Sequence, residues 1–204
     1  MHDETMHDET LRYYRDQTET FVLDTQTVDM VPLYAHFLPH LDANARILDA
    51  GCGSGRDARA FAERGFQVTA FDASAEMAAV AEAHLGAPVA LLRFQEIAWR
   101  QAFDGIWACA SLLHVPTAEL PDVMRRLGLA LKPDGILYAS FKYGRGEQIR
   151  NGRHFTDLEE DGLADLLEQV SLFVEVETWL TSDRRPGRES ERWLNSVLRL
   201  EANA

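Results

Sequence analysis

The stretch Ile47-Leu48-Asp49-Ala50-Gly51-Cys52-Gly53-Ser54-Gly55-Arg56 decides the fold of this chain. Residues of buried-strand character lead into three alternate glycines, after which a helical pattern begins. Glycine adopts backbone angles that crowd other residues, and its missing side chain lets a ligand approach the main chain closely. The stretch therefore predicts a buried strand, a ligand-binding turn and the opening of a helix.

The spacing of these glycines differs from that of nicotinamide dinucleotide sites. Their fingerprint is G-x-G-x-x-G, in which free helix amides receive a pyrophosphate. Here the third glycine comes one residue early, at Gly55, and Arg56 stands where the fingerprint has glycine. Asp49, two residues before the first glycine, would also repel a pyrophosphate. It suits a ligand with a cationic amine, such as the amino-acid end of S-adenosylmethionine.

Composition narrows the class of protein. The chain has 204 residues, 46% of them hydrophobic, which is enough to build one domain with a substantial core. The net charge of −13 argues against nucleic acid as the main partner, because nucleic-acid binders need basic faces. Two cysteines suit a reducing cytoplasm, and no apolar run reaches the roughly 18 residues of a membrane span. We therefore expect a cytoplasmic protein without a signal peptide or a membrane partner, and the choice between a monomer and a homodimer stays open.

Strand and helix patterns alternate along most of the chain. Apolar strands are predicted at 46–49, 67–71, 89–92, 103–110 and 136–141, with helical patterns between them. Such alternation indicates a parallel sheet covered by helices on both faces. Near the C-terminus, residues 174–177 and 192–200 alternate with a period of two, which predicts two strands paired as a hairpin. Residues 142–155 are expected to form a polar, flexible loop.

The residues before the first strand divide into two parts. Residues 1–10 repeat Met-His-Asp-Glu-Thr and are predicted to be a disordered tail, since His2 and His7 lack the rigid frame that metal binding would need. Helical patterns over 11–22 and 28–41 predict a helical cap at 11–44. Residues 45–204 would then form the core, and 11–204 together a single domain.

Four motifs, in this order, resemble those of class I S-adenosylmethionine-dependent methyltransferases. They are the glycine turn after Asp49, the acidic Asp72 that closes the second strand, Phe103-Asp104-Gly105-Ile106 and Leu131-Lys132-Pro133-Asp134-Gly135. The chain is similar in particular to small bacterial members of the tellurite-resistance type. The resemblance implies a Rossmann-like three-layer α/β sandwich with seven strands in the order 3-2-1-4-5-7-6, the last antiparallel. It also implies S-adenosylmethionine as methyl donor.

The resemblance assigns candidate residues for donor binding. Asp49 would meet the ammonium group, Gly51 and Gly53 would admit the methionine part, and Asp72 would accept hydrogen bonds from the ribose hydroxyls. A turn-forming or helix-capping role is the alternative for Asp72. Other candidates, several of which equally suit packing or a solvated surface, are Tyr14, Cys52, Arg56, Ala73, Met77, Gln95, Glu96, Ile97 and Ser111.

His114 is the candidate catalytic residue. Histidine has a pKa suited to removing a proton from a nucleophile at neutral pH. Methyl transfer is an in-line displacement that alignment alone can accelerate, so a packing or positioning role for His114 stays open.

The acceptor is expected to be a small molecule, because an acidic chain without an added recognition domain suits neither DNA nor long RNA. Cationic and aromatic residues after the fifth strand predict an anionic or carboxylate-bearing acceptor, with a solvated loop as the alternative; they are Lys142, Tyr143, Arg145 and Arg153. No metal is expected. Two other functions remain open, a non-catalytic cofactor-binding or partner protein and an NAD-dependent oxidoreductase.

Overall fold

The structure, a computed structural model, describes residues 2–185 and 187–201, with side chains from residue 9 onward. The N-terminal helices are α1 (His2–Asp16), α2 (Thr18–Thr25) and α3 (Val31–Phe37). The alternating part comprises β1 (Arg46–Ala50), α4 (Arg56–Glu63), β2 (Gln67–Asp72), α5 (Ala75–Leu85), β3 (Ala90–Leu91), β4 (Phe103–Ala108), α6 (Leu120–Ala130) and β5 (Leu131–Lys142). The last part comprises β6 (Gly146–Arg150), β7 (Arg153–Asp157), α7 (Glu160–Val170), β8 (Phe173–Ser182) and β9 (Arg192–Leu200).

Seven of these strands form one mixed sheet in the order β3-β2-β1-β4-β5-β9-β8. The strands from β1 to β5 pair in parallel, whereas β9 is antiparallel to both β5 and β8. Numbered within this sheet alone, the order is 3-2-1-4-5-7-6. The predicted Rossmann-like α/β class and strand order are confirmed.

The middle of the sheet determines where a ligand-binding site is expected. Strand β1 pairs with β2 on one side and β4 on the other, so the chain reverses its direction of progress across the sheet at β1. Open α/β sheets bind ligands at this switch point, beyond the carboxyl ends of the strands. The core holds it rigidly, because Trp107 on β4 stacks on Tyr138 of β5 with ring centroids 3.8 Å apart, both fully buried.

Helix α1 begins earlier than the sequence predicts. The helical pattern was expected from Leu11, but the helix extends back to His2, since the polar repeat has no apolar period that could reveal it. Thr10 is buried, and its hydroxyl accepts a hydrogen bond from the amide of His154 at 3.0 Å. The predicted tail therefore extends too far at its C-terminal end. Met1 lies outside the described residues, and the division into domains remains a prediction.

The segment 142–155, expected to be a flexible loop, contains a β-hairpin. Strands β6 and β7 pair antiparallel, apart from the main sheet, around Asn151 and Gly152. Both turn residues have positive φ, 52° and 74°, and Asn-Gly is the preferred sequence for a two-residue type I′ turn. All of β7 is buried, so the hairpin is a fixed wall of the molecule. Nowhere in residues 2–185 and 187–201 is a helix long and apolar enough to cross a membrane.

Candidate functional site

A cavity of about 720 Å³ lies beyond the carboxyl ends of β1, β2, β4 and β5. Its size falls within the roughly 300–1,000 Å³ of pockets that hold drug-sized ligands. The residues that follow these strands line one part, and helices α1 and α2 contribute Tyr14, Phe21 and Thr25. The β6–β7 hairpin closes another side with Arg150 and Arg153. The cavity therefore has a sheet end and a hairpin end.

The glycine turn brings main chain to the surface of the cavity. Gly51, Gly53 and Gly55 have φ of 73°, 54° and 74°, which favours glycine at all three positions. A Cβ atom at Gly51 would lie 2.6 Å from the Cβ of Ser111. The amides of Gly51 and Cys52 both donate to the carbonyl of Phe71, at 3.0 and 2.9 Å, so β2 holds the turn in place.

Asp72 stands at the end of β2 beside this turn. Its Oδ2 accepts from the amide of Gly53 at 2.8 Å, and its Oδ1 from the amide of Ser74 at 2.9 Å. Burial raises the pKa of Asp72, and these backbone donors oppose that shift. Each carboxylate oxygen can accept more than one hydrogen bond, so Asp72 retains capacity for two adjacent hydroxyls in the cavity.

Asp49 offers an unsatisfied acceptor. It is buried at the end of β1, and its Oδ2 has no hydrogen-bond partner within the described part of the chain. Burial raises the pKa of Asp49 well above its ordinary value, and the charge of Asp57 adds to the effect. A buried polar atom without a partner costs roughly 1–3 kcal/mol. A cationic amine in the cavity would remove that cost.

Arg56 is engaged by its neighbours. Its Nε and Nη2 donate to the two oxygens of Asp57 at 2.7 and 2.9 Å, and its Nη1 donates to the carbonyl of Thr25 at 3.0 Å. Tyr34 and Trp107 also donate to Asp57, at 2.5 and 2.9 Å. Burial opposes ionisation of Asp57, but the Arg56 charge and these donors outweigh it and lower the pKa of that carboxyl. Arg56 lines the cavity while fixing α4 to the end of α2.

His114 has both ring nitrogens engaged. Its Nδ1 lies 2.6 Å from the carbonyl oxygen of His154, and its Nε2 lies 2.8 Å from the hydroxyl of Tyr14. A carbonyl can only accept, so Nδ1 carries the proton and Nε2 accepts from Tyr14. Burial lowers the pKa of His114 to about 3, which keeps the ring neutral. Burial also raises the pKa of Tyr14, against an opposing effect of the Arg153 charge.

The structure divides the remaining donor candidates. Those that line the cavity are Cys52, Ala73, Met77, Gln95 and Ser111, and the hydroxyl of Ser111 also donates to the carbonyl of Ala50 at 2.7 Å.

Glu96 and Ile97 do not line the cavity, and their contact with the donor stays a prediction. The short 3₁₀ turn at Phe94–Glu96 directs Glu96 back to the amide of Arg93, while Ile97 packs in the core. Phe94 lines the cavity in their place, and no sequence pattern distinguishes it from its neighbours.

The acceptor candidates separate in the same way. Lys142, Tyr143 and Arg153 line the cavity, but Arg145 does not. The side chain of Arg145 is 70% exposed and pairs with Glu159 and Asp161 at 2.6 and 2.5 Å. Arg145 therefore belongs to a surface ion-pair network, and its contact with the substrate stays a prediction.

Lys142 faces the cavity but is already neutralised. Its Nζ contacts Asp183 and Glu191 and lies 4.1 Å from the centroid of the Trp193 ring. Both carboxylates come from the turn between β8 and β9. Arg185 pairs with the same Asp183, at 2.6 Å.

Comparison with known proteins indicates the class of fold to which this chain belongs. Residues 47–135, from β1 into β5, match the family model of a methyltransferase domain. Together with the seven-stranded sheet and the glycine turn at its switch point, this match indicates a protein with the Rossmann-like methyltransferase fold.

Particular relatives agree with that class. The ubiquinone biosynthesis O-methyltransferase of Xanthomonas axonopodis pv. citri is 34% identical over 105 residues, 48% of this chain and 43% of that protein. The Bacillus subtilis protein YqeM is 32% identical over 133 residues, 59% of this chain and 52% of its own length. The chain thus spans about half the length of these curated relatives.

Solved structures cover more of the chain. The 1,6-didemethyltoxoflavin-N1-methyltransferase of Burkholderia thailandensis, solved with 1,6-didemethyltoxoflavin and S-adenosylhomocysteine, superposes with a TM-score of 0.79 at 24% identity, over 97% of this chain and 88% of that one. An S-adenosylmethionine-dependent methyltransferase of Methanosarcina mazei superposes with a TM-score of 0.72 at 18% identity, over 82% of this chain and 98% of that one. At such identities the likeness concerns the fold.

Proposed function

We propose that the protein is an S-adenosylmethionine-dependent methyltransferase acting on a small-molecule acceptor. The observation that carries the proposal is the unpartnered, buried oxygen of Asp49 beside a glycine turn whose Gly53 amide is held by Asp72. This arrangement offers one acceptor for a cationic amine and another for adjacent hydroxyls, within one cavity. The methyltransferase names of the relatives, and the S-adenosylhomocysteine bound in the Burkholderia protein, support it.

The residues present fit this donor. Asp72 would hold the ribose hydroxyls, the main chain at Gly51 and Gly53 would meet the methionine part, and Asp49 would take its ammonium group. When bound, S-adenosylmethionine supplies a methyl group on a positively charged sulfur. The chain itself aligns the reactants and keeps water out, which are the contributions that a displacement reaction needs most.

His114 acts in this mechanism by position and not as a base. Protonating His114 at pH 7, when its pKa is about 3, costs about 5 kcal/mol, because each unit of difference between the pH and the pKa corresponds to about 1.4 kcal/mol. The neutral ring instead holds the Tyr14 hydroxyl at a fixed place in the cavity wall. The acceptor must then bring a nucleophile that is already ionised or that has a free lone pair.

Titration calorimetry tests the proposal. The full chain is expected to bind S-adenosylmethionine and S-adenosylhomocysteine with saturation and to leave NAD unbound, because Asp49 opposes a pyrophosphate beside the glycine turn. Binding of NAD alone would instead support the oxidoreductase. Donor binding without turnover over a broad panel of metabolites would support the non-catalytic alternative.

Narrower assignments are also part of the proposal. Resemblance to the tellurite-resistance type rests on the sequence motifs, and it makes metalloid oxyanions one arm of the same turnover panel. The expected cytoplasmic location and the monomeric or homodimeric state rest on composition. Sedimentation of the purified chain with and without S-adenosylhomocysteine tests the oligomeric state.

A further inference from the structure

Arg153 is the first residue of β7 and lies in the cavity wall opposite the sheet end. Its exposed fraction is only 9%, and its Nε has no hydrogen-bond partner in the part of the chain described. Aromatic rings surround the guanidinium, whose central carbon lies 4.1 Å from the ring centroid of Tyr13, 5.1 Å from that of Phe155 and 6.0 Å from that of Tyr14. The side chain is therefore held in place without an anion.

Three other cations of this cavity are paired with carboxylates. Arg150 pairs with Asp157, and Lys142 and Arg185 share Asp183. For Arg153, no carboxylate lies within ion-pair distance among the side chains that the structure describes, those of residues 9–185 and 187–201. A buried charge that lacks both solvent and a carboxylate partner is costly, and stacking on aromatic rings offsets only part of that cost. The arrangement is suited to an anion that arrives with a ligand.

The position of Arg153 relates that anion to the reaction. Tyr14, close to the guanidinium, donates to His114, and the His114 ring packs against Phe155 with centroids 5.1 Å apart. A molecule bound to Arg153 would therefore lie against the Tyr14–His114 pair. The rings of Tyr14 and Phe155, which both line the cavity, favour an aromatic ring over a compact aliphatic body.

We propose that Arg153 binds the carboxylate of the methyl acceptor, and that the acceptor is an aromatic acid. This inference rests on the proposed function. A guanidinium with free N–H groups binds a carboxylate through two parallel hydrogen bonds, which fixes the orientation of the acid as well as its charge. The donor also carries a carboxylate, so the same chemistry has two sources. The experiment must separate them.

The experiment is calorimetric titration of full-length wild type, Arg153→Gln, Arg153→Lys and the control Arg199→Gln. Arg199 is exposed on β9 and does not line the cavity, so its variant reports the loss of one positive charge alone. Each protein is titrated first with S-adenosylhomocysteine. Benzoate, 4-hydroxybenzoate and their neutral amides are then titrated with and without saturating S-adenosylhomocysteine. Thermal unfolding verifies that each variant is folded. If Arg153→Gln does not fold, the comparison is made between wild type and Arg153→Lys.

At least one acid is expected to bind wild type roughly tenfold or more tightly than its amide, a preference that Arg153→Gln loses and Arg153→Lys keeps in part. Affinity for S-adenosylhomocysteine is expected to change less than about threefold in all variants. The proposal is overturned if no acid is preferred to its amide, or if Arg153→Gln keeps the preference. The proposal is also overturned if Arg153→Gln instead weakens the binding of S-adenosylhomocysteine, because Arg153 would then hold the carboxylate of the donor. If wild type fails to bind S-adenosylhomocysteine, the proposed function fails, while the titrations of acids alone still decide the role of Arg153.

Discussion

The hydroxyl of Tyr14 lies 2.8 Å from Nε2 of His114, although 100 residues separate the two along the chain. Because Nδ1 of the same ring donates to the carbonyl of His154 at 2.6 Å, a single neutral imidazole joins α1 to β7. Helix α1 is thereby fixed over the hairpin end of the cavity. His114, for which the sequence leaves both a catalytic and a positioning role open, connects the walls of the site.

Replacing Tyr14 by Phe would remove the hydrogen bond that its hydroxyl donates to Nε2 of the half-buried His114 ring. We expect the free energy of unfolding to fall by about 1 kcal/mol, the usual net contribution of one hydrogen bond. Urea unfolding at pH 7 measures this loss. Tyr13→Phe is the matched control, since it removes a neighbouring hydroxyl while keeping the ring that stacks on Arg153. Equal losses in the two variants would contradict the hydrogen bond.

The stability of the chain should depend on pH through His114. The pKa of this residue is about 3 in the fold and about 6.5 in the unfolded chain, so only the unfolded chain binds the proton between these values. Stability is therefore complete above pH 6.5 and declines as the pH falls towards 3. Between pH 7 and pH 5 the contribution is about 2 kcal/mol.

The variant His114→Gln isolates that contribution. Glutamine does not titrate, so the loss of stability on lowering the pH from 7 to 5 should be smaller in the variant than in wild type by about 2 kcal/mol. Chemical unfolding at both pH values gives the comparison. An identical loss in both proteins would mean that His114 is protonated normally in the fold.

Asp49 should couple donor binding to a proton. Burial raises the pKa of Asp49, and an ammonium group at its free oxygen would favour the ionised form. Binding of S-adenosylhomocysteine then releases a proton, and affinity rises with pH by up to about tenfold per unit while Asp49 is protonated in the free protein. Calorimetry at several pH values, in buffers of different ionisation enthalpy, measures the released proton. Asp49→Asn should bind more weakly and lose this pH dependence; a pH dependence that persists in the variant would refute the assignment.

The glycine turn should tolerate substitution differently from other left-handed glycines. In Gly51→Ala the new Cβ would lie 2.6 Å from that of Ser111, at a φ of 73°. Gly86→Ala is the matched control, with a φ of 70° and no neighbouring heavy atom within 4 Å. Both should lose about 1–2 kcal/mol from backbone strain, and Gly51→Ala about 1–3 kcal/mol more from crowding. Thermal unfolding of the two variants tests this, and an equal loss would show that the turn yields to the new methyl group.

Local patterns made the first half of the fold predictable. The glycine spacing and the acidic residues that follow β1 and β2 are signals within a few residues, and they placed Asp49 and Asp72 in one cavity. The strand order came from resemblance and is confirmed. The hairpin of β6 and β7 had a signal of its own in Asn151-Gly152, which a reading of the segment as merely polar overlooked.

The hairpin end of the site could not be predicted from spacing. The hydrogen bond of Thr10 to His154 spans 144 residues, and no sequence period encodes such a contact. A cluster of basic residues in the sequence also does not show which of them are neutralised by ion pairs. Arg145 pairs at the surface and Lys142 pairs within the cavity, whereas Arg153 packs among rings, and only their three-dimensional surroundings distinguish them.

We propose that S-adenosylmethionine binds in the cavity beside Asp49 and Asp72, with its methyl group directed towards Tyr14 and Arg153. A crystal structure of the chain with S-adenosylhomocysteine tests this placement. We predict the ribose hydroxyls within hydrogen-bonding distance of Asp72, the ammonium group at the free oxygen of Asp49, and the sulfur on the side of Tyr14. A ligand that lies outside this cavity, or whose ribose lies away from Asp72, would contradict this placement.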